Sequence, residues 1–296
     1  MPENRQRDLL VFFTIGAGIG AGIIVNGQLV HGLVHLIKKA GKDGIIKACG
    51  ITTASDSQIF FFRWKLIMKR SEINDIMQKA DKFIHKRGFY LPPFAYWTPD
   101  DWAKKGPEVS EIVENNLGWD ITDFGKGDFS HFGLFLFNLR NGNPRNWQTM
   151  TGKLFAEKIM IVENGQITPM HFHWSKMEDI INRGGGKLLI QLYNVTPNED
   201  LDTKNDVHVS VDGIRRVVKA GELVKLEPGE SISLEQRCYH KFWGEGRVLI
   251  GEVSQVNDDH SDNRFYEQVG RFPAIEEDAP PLYPLCNDYR RYYKVK

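Results

Sequence analysis

Cysteine is scarce: three stand in 296 residues, Cys49, Cys238 and Cys286, too far apart for a C-x-x-C pair. That excludes a disulfide framework and makes a reducing cytoplasm the expected compartment. Net charge is absent as well, with 38 Lys and Arg against 38 Asp and Glu, so neither nucleic acid nor an acidic membrane is an expected partner. There is no P-loop lysine motif, no G-x-S-x-G and no dinucleotide fingerprint. A comfortable membrane span is also lacking. Residues 9–25 are apolar behind Arg5 and Arg7, but Gly16, Gly18, Gly20 and Gly22 weaken a helix there, and polar Asn26 and Gln28 follow at once.

What the chain has is ordinary globular material, with 41% hydrophobic residues, enough for a sizeable core without staples. Two unlike parts are expected, residues 1–67 and 68–296. In the first, residues 9–15 read as a strand, and Asn26-Gly27 between apolar runs reads as a hairpin turn. Residues 40–67 show no clear periodicity. Thr14 to Gly22, then Ile23 to Gly27 and His31-Gly32, resemble the glycine-rich phosphate loop and next hairpin of ROK-family sugar kinases, with Ala17 where a Thr is usual.

The second part opens with Ser71 as an expected N-cap. Ile73, Ile76, Met77, Ala80, Phe83 and Ile84 follow at helical spacing, and Gly88 is placed to end the helix. Thr98-Pro99 predicts a second, short helix, and residues 108–115 a third. From Gly118 on, apolar or alternating runs at 132–139, 154–163, 187–194, 207–211, 214–218, 222–226, 231–234 and 247–254 predict many short strands, the pattern of a sandwich or barrel. Residues 257–296, with four prolines, are expected to wrap the outside of that barrel.

Chemistry concentrates at residues 165–178. His171 and His173, two apart on a strand, share a face, and Glu178 can return to the same point across a turn. Two imidazoles and a carboxylate suit a divalent ion such as Mn, Fe, Co, Ni or Zn. His240 is the expected fourth ligand. The other histidines are expected to carry no chemistry.

Gly165, His171, His173, Glu178 and Gly185 match the first cupin motif at each of its fixed positions. The second motif is looser: Glu235 and Arg237 stand where Pro-x-Gly is usual, and Gly244 where an Asn is usual. Residues 68–74, 169–186 and 251–259 together resemble the bacterial D-lyxose isomerase family over essentially all of 68–296. The resemblance implies a mostly β fold, a cupin double-stranded β-helix with N-terminal helices. It also implies His171, His173, Glu178 and His240 around one ion, usually Mn2+, and interconversion of D-lyxose with D-xylulose and of D-mannose with D-fructose.

Moving hydrogen between C1 and C2 needs a base beside the metal. Glu252, on a strand near His240, is the candidate. Lys176, two residues before Glu178, is expected at the mouth of the site, with its pKa lowered by a nearby cation or acting as an acid toward a sugar oxygen. Asp258, Asp259 and Asp262 are runner-up carboxylates, expected mainly as turn formers. Phe172, Trp174 and Trp243 are candidates to bound the sugar, and Arg264 to pair with carboxylates or substrate. An Fe-dependent cupin dioxygenase and a non-catalytic sugar-binding cupin remain as other classes. A homodimer is expected, because edge strands of small barrels pair across subunits.

Overall fold

The computed structural model describes the backbone strands of residues 9–30 and nearly all of residues 67–294; His260 and Pro273 fall outside the described set. The chain divides into two compact units, Met1–Phe62 and Arg63–Lys296. In the first, β1 (Leu9–Ile15), β2 (Ile19–Val25) and β3 (Gln28–Val30) form an antiparallel sheet. β2 and β3 pair Val25 with Gln28 and Ile23 with Val30, while Asn26-Gly27, the expected turn, lies outside the described residues. Gly16 and Gly18 of the kinase-like loop, with His31, His35, Cys49 and residues 40–66, lie outside the described residues.

The second unit begins with β4 (Met68–Lys69), which pairs in parallel with β17 (Ile275–Glu276). The helix Arg70–Lys86 follows. Ser71 is not its N-cap; it sits inside the first turn, and the cap comes from far along the chain. Asp278 accepts from the Ser71 N–H at 2.9 Å and from its hydroxyl at 2.7 Å. At the other end Gly88, at φ +70°, lets its own N–H reach His85 O and that of Phe89 reach Ile84 O, closing the helix. Thr98 and Asp101 form the capping box of the helix Pro99–Trp102. Ser110–Glu114 is the third expected helix. Among the described residues no helix is long and apolar enough to cross a membrane.

The rest is β-sheet: β5 (Gly118–Thr122), β6 (Leu134–Arg140), β7 (Phe155–Val162), β8 (His171–Phe172), β9 (Glu178–Val195), β10 (Leu201–Asp202), β11 (Val207–Val211), β12 (Ile214–Val218), β13 (Leu223–Leu226), β14 (Ser231–Leu234), β15 (Cys238–Gln255) and β16 (Arg264–Phe265). Their order runs β12-β11-β14-β9-β15-β7-β6-β5, antiparallel throughout. This is the expected cupin, jelly-roll-like fold with helices before the barrel.

Two strands are longer than their sequence predicts. β9 pairs with β14 over Glu178–Ile181 and with β13 over Leu188–Gln191, while β15 runs alongside it from Asn194 back to Glu178. Their register shifts at a corner where Gly184 lies opposite Leu249, Gly185 opposite Val248, and Gly186 against Gly246. A Cβ on Gly185 would sit against the Arg247 carbonyl oxygen, and one on Gly186 against that of Glu245. The glycines broke the apolar alternation and so hid the continuity of the strands. Gly185, at φ +108°, has no room for a side chain. Gly185→Ala is therefore expected to cost about 2–3 kcal/mol and lower Tm by roughly 5–10 °C. A thermal melt matching the parent would show that the corner tolerates a Cβ.

β6 and β7 are buried on both faces. Leu134, Leu136, Met160 and Val162 point into the barrel, while Phe135, Phe137, Ile159 and Ile161 pack under Ile73, Met77 and Ile84 of the long helix. Lys158 shares the inward parity of Met160. Glu252 likewise shares the parity of Val248 and Ile250, which belong to the barrel core.

Candidate metal centre and active site

β8 places His171 directly opposite His240 of β15, and His173 follows on the same face. One nitrogen from each ring lies within 4.8 Å of the others. Each Nδ1 is hydrogen-bonded to a backbone carbonyl: His171 to Pro169 at 2.8 Å, His173 to Asp262 at 2.6 Å, and His240 to Cys238 at 3.1 Å. A neutral ring that donates from Nδ1 carries its lone pair on Nε2. Burial, with His240 and His173 beside it, holds the His171 pKa well below its usual value, so this ring is neutral.

Glu178 opens β9 beside these rings. Its Oε1 is 3.1 Å from His240 Nε2 and 3.5 Å from His173 Nε2, yet it is buried without a hydrogen-bond partner. Lone pairs turned toward one another at this spacing are what a shared cation satisfies. Burial opposes ionisation of Glu178, but the Lys176 ammonium and His173 hold its pKa well below the usual carboxylate range.

Lys176 is not at the mouth. It is 2% exposed, and its Nζ lies 2.6 Å from Glu178 Oε2 and 2.8 Å from Glu252 Oε1. Burial alone would lower its pKa, but the two carboxylates outweigh burial and raise it, opposite to the expected shift. Lys176 is thus held as an ammonium that donates hydrogen bonds to both carboxylates. Its loop is fixed by Asp262, whose carboxylate accepts the N–H groups of Ser175 and Lys176 at 2.9 and 3.0 Å. Arg237, at φ +58°, takes the left-handed position of the motif's missing glycine, and its N–H donates to His173 O at 2.8 Å.

His171, His173, Lys176, Glu178, His240 and Glu252 line a cavity of about 50 Å³, with Leu134, Leu136, Met160, Phe242 and Phe265 among its apolar walls.

Residues 68–289 match the family model described as D-lyxose isomerase. The chain belongs to the D-lyxose isomerase family. Among its relatives, a D-lyxose/D-mannose isomerase of Serratia proteamaculans is 47% identical over 229 residues, 76% of this chain and 99% of that protein. One of Escherichia coli O157:H7 is 46% identical, over 76% of this chain and all of that protein. An X-ray structure of Cellulomonas parahominis L-ribose isomerase with L-ribose shares 14% identity at a TM-score of 0.47, covering 72% of this chain and all of that one. The family match starts at residue 68 and lends no support to the kinase resemblance of residues 9–32.

This D-lyxose isomerase family member is a sugar isomerase whose three imidazoles suit metal-assisted catalysis. His171, His173, Glu178, His240, Lys176 and Glu252 all meet in the one cavity. The aromatic candidates do not line it: Phe172 is core, and the Trp174 indole donates to Glu199 at 2.8 Å. Trp243 is under the Lys241 ammonium. Arg264 pairs with Glu199. Residues 257–272 are more than an outer wrap, because Asp259, Asn263, Phe265 and Arg271 reach the cavity.

Three residues escaped the sequence reading. Lys158 lies 3.2 Å from Glu252, Arg271 bridges Asp120 and Asp259, and Asn257 faces both lysines. Asp259, a supposed turn former, is half-buried; Lys158 and Arg271 outweigh the loss of water and hold its pKa well below the carboxylate range. The signal available for Lys158 was a lysine inside the apolar strand FAEKIMIV.

Proposed function

We propose that this chain interconverts D-lyxose and D-xylulose, and D-mannose and D-fructose, by proton transfer through a sugar enediol. The carrying observation is the Lys176–Glu252 pair, buried in one cavity with the three imidazoles. His171, His173, His240 and Glu178 would hold one divalent ion, Mn2+ by preference, with Co2+, Fe2+, Ni2+ or Zn2+ as substitutes. When bound, that ion polarises the sugar's C1 and C2 oxygens.

The chain's own groups do the rest. Glu252 takes the C2 proton of the open-chain aldose and returns it at C1, while the C2 hydroxyl proton passes to the C1 oxygen. Lys176, held as an ammonium, hydrogen-bonds the oxygen that gains charge and orients Glu252 through their 2.8 Å contact. In heavy water, protein loaded with Mn2+ should turn D-lyxose into D-xylulose carrying solvent deuterium at C1. Full turnover with no deuterium incorporated would count against the enediol route. Oxygen uptake would favour the dioxygenase class, and sugar binding without turnover the non-catalytic class.

Residues 1–67 are proposed to be dispensable for this activity, since the relatives align over nearly their whole length with the remainder. The protein Met68–Lys296 should match the full chain in turnover, metal content and Tm; an insoluble or inactive product would make the first 67 residues part of the enzyme. A cytoplasmic homodimer is the proposed working form, supported by the exposed Ile214 and Val217 on edge strand β12 and by the free buried thiols of Cys238 and Cys286. A monomer in sedimentation would refute the dimer.

A further inference from the structure

Four polar groups close a ring at the cavity, three of which, Lys158, Lys176 and Glu252, line it. Lys176 Nζ contacts Glu252 Oε1 at 2.8 Å and Asn257 Oδ1 at 3.2 Å. Lys158 Nζ contacts the same two partners, Glu252 Oε1 at 3.2 Å and Asn257 Oδ1 at 2.6 Å. Two ammoniums thus alternate with one carboxylate and one amide oxygen, and all four side chains are nearly free of solvent. The members come from four places: β7, the loop before β9, the end of β15 and the turn beyond it. We infer that Asn257 is a positioning residue of the isomerase, its amide oxygen holding the Lys158 and Lys176 ammoniums astride Glu252. The inference rests on the function proposed above.

Asn257 is itself held from outside the cavity. Its N–H donates to Asn141 Oδ1 at 3.0 Å, and its carbonyl accepts from Asn141 Nδ2 at 2.9 Å. Asn141 is exchanged in turn with the backbone of Asn115, to whose carbonyl it donates at 3.3 Å and whose side chain donates to the Asn141 carbonyl at 3.0 Å. The backbone at position 257 is therefore fixed by groups remote from the reacting atoms, and Oδ1 inherits that placement.

An amide suits the position where a carboxylate does not. Glu178, Glu252 and Asp259 already surround the two lysines. The Asn257 side chain also hydrogen-bonds Asp259, so it presents oxygen to the ammoniums and N–H to the carboxylate. Aspartate in its place would face Asp259 with like charge and draw both ammoniums away from Glu252. A lysine displaced by as little as 1 Å would slow proton transfer without changing how the sugar is held.

The test uses the full-length, Mn2+-loaded protein with D-lyxose. Asn257→Ala and Asn257→Asp should lower kcat by about 10- to 100-fold while KM stays within about threefold and metal content is unchanged. In a Lys158→Met background, Asn257→Ala should cost less than about threefold more, because the ring is already open. In protein labelled at lysine Nζ, the slowly exchanging ammonium signals of Lys158 and Lys176 should broaden in Asn257→Ala, a reading that needs no turnover. Asn141→Ala, which frees the backbone but keeps the amide, should give a smaller defect of the same kcat-only kind, and serves if the position 257 variants do not fold. An unchanged kcat, a loss confined to KM, or full additivity with Lys158→Met would overturn the inference. A wild-type protein that fails to isomerise D-lyxose would instead remove the proposed function, leaving the ammonium signals to decide the ring.

Discussion

His240→Ala is expected to reduce turnover to background and to strip most of the bound divalent ion, and His173→Ala to do the same. Each variant removes one of the Nε2 lone pairs that face Glu178 Oε1 and leaves that buried oxygen with one neighbour fewer. The effect on rate should exceed about 10³-fold, because both the charge stabilisation and the orientation of substrate oxygens would be lost together. His208→Ala is the control: that ring is exposed on β11, and its loss should change neither metal content nor rate. Metal analysis after dialysis, alongside turnover of D-lyxose, reads both quantities. A stoichiometric ion and unimpaired turnover in His240→Ala would end the case for a site built on these imidazoles.

Glu252→Gln should lower kcat by about 10²- to 10⁴-fold with metal content and KM near those of the parent, since the amide keeps the shape and cannot accept the proton. Lys176→Met should be slow as well, but for two reasons. It removes the ammonium held between Glu178 and Glu252, leaving two buried carboxylates without their shared partner. That is expected to cost about 3–5 kcal/mol of stability. The two variants are thus told apart by their melts: Glu252→Gln close to the parent, Lys176→Met clearly lower. A Glu252→Gln protein within threefold of the parental kcat would return Glu252 to a structural ion-pairing role, and the base would have to be sought elsewhere on the cavity wall.

Much of this site was legible because its core is local. Period-two geometry puts His171 and His173 on one face wherever a strand forms, and a short turn suffices to bring Glu178 back to them. The strands 207–211, 214–218 and 231–234 were equally readable, since alternation or an apolar run between turn residues is a property of neighbouring residues alone. The same reasoning failed at the barrel corner, where Gly184, Gly185 and Gly186 interrupt β9 opposite Gly246, Val248 and Leu249 of β15. There the close approach of two backbones, not any local preference, demands glycine.

The sequence by itself determined the strand-rich class and the grouping of His171, His173 and Glu178, because each rests on spacing along the chain, while the family and His240 came from resemblance to known sequences. Tertiary structure alone decided which other polar groups join them. Antiparallel pairing of β7 with β15 brings Lys158 to Glu252, and the turn after β15 carries Asn257 and Asp259 to the same wall. It also decided the sign of the shift at Lys176. A lysine near a metal ligand reads, in sequence, as a group beside a cation. In the folded protein it is buried between two carboxylates, and Coulomb attraction at that range outweighs the loss of water around its charge.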